Sequence, residues 1–224
     1  MVDYLGCIRK PFSDLKTALL CFVIGLVGTL TFGLANLVLS GFVFESVRNH
    51  LHNDKHMPYF EVGNTVHYFI DGLKVLIVMV VYSIPGGILL LIAFGGIILG
   101  LLTGGDTITL SNAILSSGVL GLFGFTLWTI GQWFAWLGVV NMAERERLGA
   151  AFNLPVILRA MLRGKFLVSL IVSIAYLFIL LFILAFLSVI SLGLLLVALS
   201  GGLFVYAYQT TVLAIMAETF AETQ

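Results

Sequence analysis

Apolar residues in this chain come in long runs, and the polar segments between them are themselves patterned. Between Pro58 and Gly72, Val62, Val66, Phe69 and Ile70 recur at helical spacing, with Leu73 next, while Glu61, Asn64, His67 and Asp71 take the other positions. That spacing predicts an amphipathic helix lying on a membrane surface. After Lys74 no charged residue occurs until Asp106, a stretch long enough to cross a bilayer, for which about 20 apolar residues suffice.

The same order of polar elbow and apolar span recurs along the chain. A short amphipathic lead-in over residues 1–16 precedes an apolar run from Thr17 to Phe44, interrupted by Gly28-Thr29-Leu30-Thr31-Phe32-Gly33. Two full spans need about 40 residues, so this run is either one tilted helix or a short hairpin. Further spans are predicted from about Leu73 to Leu102, Ala113 to Met142 and Phe166 to Ile190, with a last one ending near Ala217 after a turn near Ser191–Gly193. Pro85-Gly86-Gly87 is expected to kink or open the second span, and Gly96, Gly100 and Gly104 make a small-residue face for close helix contact. Residues 144–165 form a second strong elbow: Asn153 and Pro155 mark a helix start, and Leu154, Ile157, Leu158, Met161 and Leu162 make its apolar face. Arg159, Arg163 and Lys165 on this elbow are expected to meet anionic headgroups.

Composition agrees with the pattern. The chain is 60% hydrophobic and only 10% charged, against about 25% charged residues in soluble domains. A water-exposed surface is therefore excluded, and with 11 basic residues balanced by 11 acidic ones there is no nucleic-acid footprint. Charge placement bears on the first run. If it is a hairpin, all 11 basic residues lie on one side of the membrane; if it is one span, Arg9, Lys10 and Lys16 are stranded on the other. The positive-inside rule favours the hairpin, with both termini cytoplasmic in a cell membrane. The run is also much longer than the ~7–15 residues of a signal peptide's apolar region, so it is expected to stay in the protein.

The reading is thus an all-α polytopic transmembrane bundle: about six helices as three helical hairpins, with cytoplasmic amphipathic elbows. It forms one integral membrane domain over 1–224, with hairpin units at about 1–50, 51–143 and 144–224.

Several residues in this sequence match a known pattern: Gly41-Phe42 followed by Arg48, then Met57-Pro58, Phe69-Ile70-Asp71-Gly72-Leu73-Lys74, and Tyr82 and Pro85 within a span. The chain resembles a domain-of-unknown-function family of multi-pass membrane proteins from archaea and bacteria. Phe42 stands where that pattern has tyrosine and Met57 where it has leucine. The resemblance implies the architecture and no biochemical role.

Candidate chemistry is sparse. His50, His52, Asp54 and His56 alternate, and a helix would pair His52 with His56 at i, i+4, a usable metal geometry. With no cysteine or sequence-distant ligand beside them they read as a polar connector, and no metal is assigned. Cys7 and Cys21 read as free thiols. Tyr82, Pro85, Gln132 and Gln209 are the candidates for a cavity or kink, with interhelical hydrogen bonding favoured for the two glutamines. No hydrolase, metalloprotease or phosphate-loop motif occurs, so the expectation is no enzyme and no cofactor. The expected function is a non-enzymatic membrane scaffold, assembly factor or complex subunit; the alternative is a transporter or channel for a neutral or apolar solute. Expected partners are the bilayer, anionic lipid headgroups, and a protein partner or second copy of the chain.

Overall fold

The computed structural model describes residues 2–31, 33–52, 57–102, 107–190 and 201–221. Among them the α-helices are α1 (Tyr4–Arg9), α2 (Leu15–Leu30), α3 (Leu34–Leu51), α4 (Thr65–Leu102), α5 (Thr107–Arg145), α6 (Leu154–Met161), α7 (Gly164–Ile190) and α8 (Gln209–Ala221). Short 3-10 turns lie at Lys10–Phe12, Val62–Asn64 and Leu148–Phe152, and a π-helical segment, Gly201–Tyr208, runs into α8. No strand occurs among the described residues. Contacts group the chain into two compact units: Met1–Ile77 with Trp136–Gln224, and Val78–Ala135.

In the first unit, Asp3 caps α1 by accepting from the Gly6 N–H at 2.9 Å. After the turn through Pro11 the chain bends by 73° into α2. Asp14 caps α2, accepting from the Thr17 N–H at 3.0 Å, and its hydrogen bonds with Thr17 hold its carboxyl below the usual carboxylate range. At the far end α2 reverses: Gly33 adopts φ 92°, a left-handed conformation natural to glycine, and its N–H bonds the Gly28 carbonyl at 2.7 Å. Helix α3 then returns antiparallel. Asn36 lies against Gly28 at the turn, while Lys10 reaches the Ser46 carbonyl and His50 at the other end. The run from Thr17 to Phe44 is therefore a hairpin. With 16 and 18 residues, at ~1.5 Å rise each, both helices are shorter than a ~30 Å hydrocarbon layer.

Helix α8 is the centre of this unit. Thr210 through Ala217 are all buried, as are Thr219 and Phe220, and α1, α3 and α7 pack around them. Burial on every face means that the helix packs against protein on all sides. Thr219 pairs with Ser169 of α7 at 2.6 Å, and, just before α8, Tyr206 donates to the Pro11 carbonyl at 2.7 Å.

Helices α3 and α4 meet through two glycines. A Cβ on Gly41 would strike the Tyr68 carbonyl, and a Cβ on Gly72 would strike the Leu37 carbonyl. Because 37 faces 72 while 41 faces 68, the two helices are antiparallel with their backbones in direct contact. The expected surface helix from Pro58 to Gly72 differs from what is found. Residues 57–61 are not helical, and α4 starts at Thr65 and continues past Lys74 to Leu102. The helix runs unbroken through the charge boundary, where Lys74 turns back onto Asp71, at 2.6 Å, one turn earlier. Pro85 also sits inside unbroken α-helix.

In the second unit α4 and α5 pack antiparallel. Gly131 abuts the Tyr82 carbonyl, Gly86 abuts the Trp128 backbone, and Gly124 abuts Leu89 and Leu90. Farther along, Gly121 faces Ala93 and Gly96 faces the Ser117 hydroxyl. The close approaches thus fall at Gly86, Gly124 and Gly131; of the expected Gly96–Gly104 face, Gly96 takes part and Gly104 lies outside the described residues.

Three helices are long and apolar enough to cross a membrane, Val62–Gly96, Leu115–Arg145 and Gly164–Phe186, and a fourth joins them if the bent pair Tyr4–Phe12 and Leu15–Gly28 counts as one span. In the most apolar stretch of each of the three, only 17%, 17% and 28% of residues are buried. So much exposed hydrocarbon calls for an apolar surrounding.

Candidate functional site

Charged and polar side chains gather in three places, all within the first unit. The first is a cavity of about 210 Å³ between α3, α4 and the end of α5, lined by Arg48, His67, Asp71, Lys74 and Glu146 with Phe44, Met142, Ala143 and Leu148. Asp71 is only 2% exposed and is held between Lys74 at 2.6 Å and the more exposed His67 at 3.3 Å. Glu146 follows the last residue of α5 with φ 53°, a left-handed conformation uncommon for glutamate, and turns the chain towards the Leu148–Phe152 turn. Arg48, Asp71 and Lys74 all belong to the sequence pattern quoted above, so the fold brings its charged members around one cavity.

The second place is the α6 elbow. The Asn141 amide donates to the Ala150 carbonyl at 2.7 Å and fixes the chain that leads into it. α6 buries Ile157 and Ala160 and exposes Leu154, Leu158 and Leu162, which stand one turn apart in a row. Arg159, Arg163 and Lys165 are exposed beside that row. An open depression of about 580 Å³ lies against Arg145 and Arg147, adding two more exposed bases to the same region.

The third place lies beneath α1. Lys10, only 5% exposed, donates to the Ser46 carbonyl and contacts His50 Nδ1, both at 3.2 Å. His50 Nε2 stands 3.4 Å from Glu218 Oε1, and Glu218 Oε2 accepts from the Asp3 N–H at 2.5 Å. The Cys7 thiol closes the group: one donor atom from each of Cys7, His50 and Glu218 lies within 4.8 Å of the others.

The residues singled out in the sequence fare differently. Gln132 donates to Ser83 Oγ at 2.6 Å, and Tyr82 stacks on Phe134 with ring centroids 6.0 Å apart, so both serve the α4–α5 contact. Gln209 accepts from the Ser40 hydroxyl at 3.3 Å, joining α8 to α3. Pro85 is exposed on α4. His52 is exposed and its ring contacts the Arg48 carbonyl at 2.8 Å, away from His50, whereas Asp54 and His56 lie outside the described residues. Cys7 and Cys21 are both free and buried. His50 instead meets Cys7, Lys10 and Glu218, which come from distant parts of the chain, and no spacing in the sequence announces them.

Fold and polar sites together define an all-helical protein with three helices fit to cross a membrane and its polar clusters at helix ends. The chain belongs to the family described as "Protein of unknown function (DUF4013)", whose model matches residues 21–190. No curated protein and no solved structure matches the chain.

Proposed function

We propose that the protein is a non-enzymatic multi-pass component of the cell membrane, a scaffold or complex subunit whose α6 elbow rests in the headgroup layer of anionic lipid. The observation that carries this reading is the exposed row Leu154, Leu158 and Leu162 with Arg159, Arg163 and Lys165 beside it. An apolar stripe flanked by bases suits the boundary between acyl chains and headgroups, where long basic side chains lay their stems along the apolar layer and keep their charges wet. The transporter alternative draws less support, because Gln132 and Gln209 are engaged in hydrogen bonds that join helices.

Replacing Arg159, Arg163 and Lys165 together with Gln removes headgroup attraction of about 1 kcal/mol per residue before salt screening. Membrane insertion should survive, since the flanking helices carry far more hydrophobic free energy. Amide exchange over residues 153–165 should accelerate in liposomes containing anionic lipid and change little in neutral ones. Equal acceleration in both would assign these charges to protein contacts and sink the lipid-anchor reading.

The proposed orientation puts both termini and all 11 basic residues on the cytoplasmic side. Native Cys7 and Cys21 are buried and should stay silent to impermeant thiol reagents. In intact cells Ser13→Cys and Arg147→Cys should be protected from such a reagent, while Asp106→Cys should be labelled. Labelling of either of the first two from outside would overturn the orientation.

A further inference from the structure

We propose that Cys7, His50 and Glu218 form a site for a thiophilic divalent cation, with Zn²⁺ the best match. The donors come from α1, α3 and α8, and their ligand atoms lie within 4.8 Å of one another. Zinc bonds of about 2.0–2.3 Å to nitrogen, oxygen and sulfur place neighbouring tetrahedral ligands about 3.3–3.7 Å apart. The 3.4 Å between His50 Nε2 and Glu218 Oε1 already satisfies one such edge. The others close with side-chain movements of an ångström or so, and water takes the fourth position.

The donor chemistry points the same way. A thiolate, an imidazole and a carboxylate together favour zinc over magnesium or calcium, which take oxygen ligands. Cys7 is 2% exposed and His50 8%, so a bound ion would be shielded from bulk water. Cys7 must lose its thiol proton on binding, and the two resulting anionic ligands balance the double charge of the metal. Lys10 tempers the site. Its ammonium is 3.2 Å from His50 Nδ1, and a metal on Nε2 leaves Nδ1 protonated and unable to accept that bond. Lys10 then keeps the Ser46 carbonyl at 3.2 Å, and its charge opposes the metal. The ion would pin α1 to α3 and α8, tying the start of the chain to the core of the first unit.

The test uses the full chain in mild detergent, stripped with a chelator, passed through a desalting column and titrated with Zn²⁺ or Co²⁺. Elemental analysis should find one Zn²⁺ per chain, with one thiol proton released and binding weakening as pH falls. Co²⁺ should give a thiolate-to-metal charge-transfer band and the strong visible absorption of tetrahedral coordination. Cys7→Ser and His50→Gln should each lose the band and bind at least about tenfold more weakly, and Cys21→Ser should keep both. Lys10→Gln should bind more tightly, which a merely structural lysine would not produce. Substoichiometric Zn²⁺, or stoichiometric Co²⁺ without the charge-transfer band, would overturn the proposal on the unaltered chain, whatever the variants do to folding. Full binding by Cys7→Ser would move the metal to other histidines and overturn it equally.

Discussion

Replacing Gly72 with alanine is expected to destabilise the protein by about 3 kcal/mol, at the upper end of what overpacking usually costs, and leucine should do more damage still. The added Cβ falls on the Leu37 carbonyl, which belongs to the backbone of α3 and cannot swing aside as a flexible side chain would. The helices must separate, and every side chain packed along their contact then loses dispersion energy. Gly41→Ala should behave alike, because its Cβ meets the Tyr68 carbonyl from the other helix. Gly63 and Gly149 have nothing within 4 Å of the same added atom, so alanine there is the control. Thermal unfolding in detergent should separate the two pairs clearly. If Gly72→Ala melts with the controls, the helices are not held at backbone contact.

Lys74→Met is expected to cost about 2–3 kcal/mol, and more than Asp71→Asn. Asp71 is 2% exposed, so removing its closest cation leaves a buried carboxylate with His67 at 3.3 Å beside it, and breaking one side of a fully buried pair typically costs about 3–5 kcal/mol. The lower figure applies because Lys74 is itself 43% exposed, which weakens the pair it forms. The reverse change leaves a lysine that water can solvate and an amide in place of the charge. Combining Lys74→Met with Asp71→Asn should recover most of the loss, because no buried charge remains. The measurement is unfolding of the two single variants and the double variant under one set of conditions. A double variant as unstable as Lys74→Met alone would mean that the lysine acts through packing of its stem.

Much of the architecture was legible along the chain for one reason: hydrocarbon length is a one-dimensional quantity. The stretch from Lys74 to Asp106 reads as a long helix because no charge interrupts it, and α4 does run to Leu102. The reversal inside Thr17–Phe44 was carried by charge balance, and Gly33 supplies the left-handed residue that makes it. The predicted surface helix at 58–72 failed at its boundaries because helical periodicity continues across Lys74, and a lysine that is itself a good helix former does not end a helix.

By itself, then, the sequence determined the helical class and the apolar runs, and its charge balance favoured a reversal within Thr17–Phe44 that the structure places at Gly33. The first two depend on residues near one another in the chain. Only the tertiary structure decided that α8 is the buried centre of its unit while α7 leaves Leu167, Ile171, Phe178 and Phe182 exposed. Leucine against protein and leucine against lipid look the same in a hydropathy pattern, because both surroundings are equally apolar. Tertiary structure alone also decided which glycine meets which carbonyl, and it alone joined Cys7 and Glu218 to His50. Those meetings depend on how helices from opposite ends of the chain pack, and no local spacing carries that information.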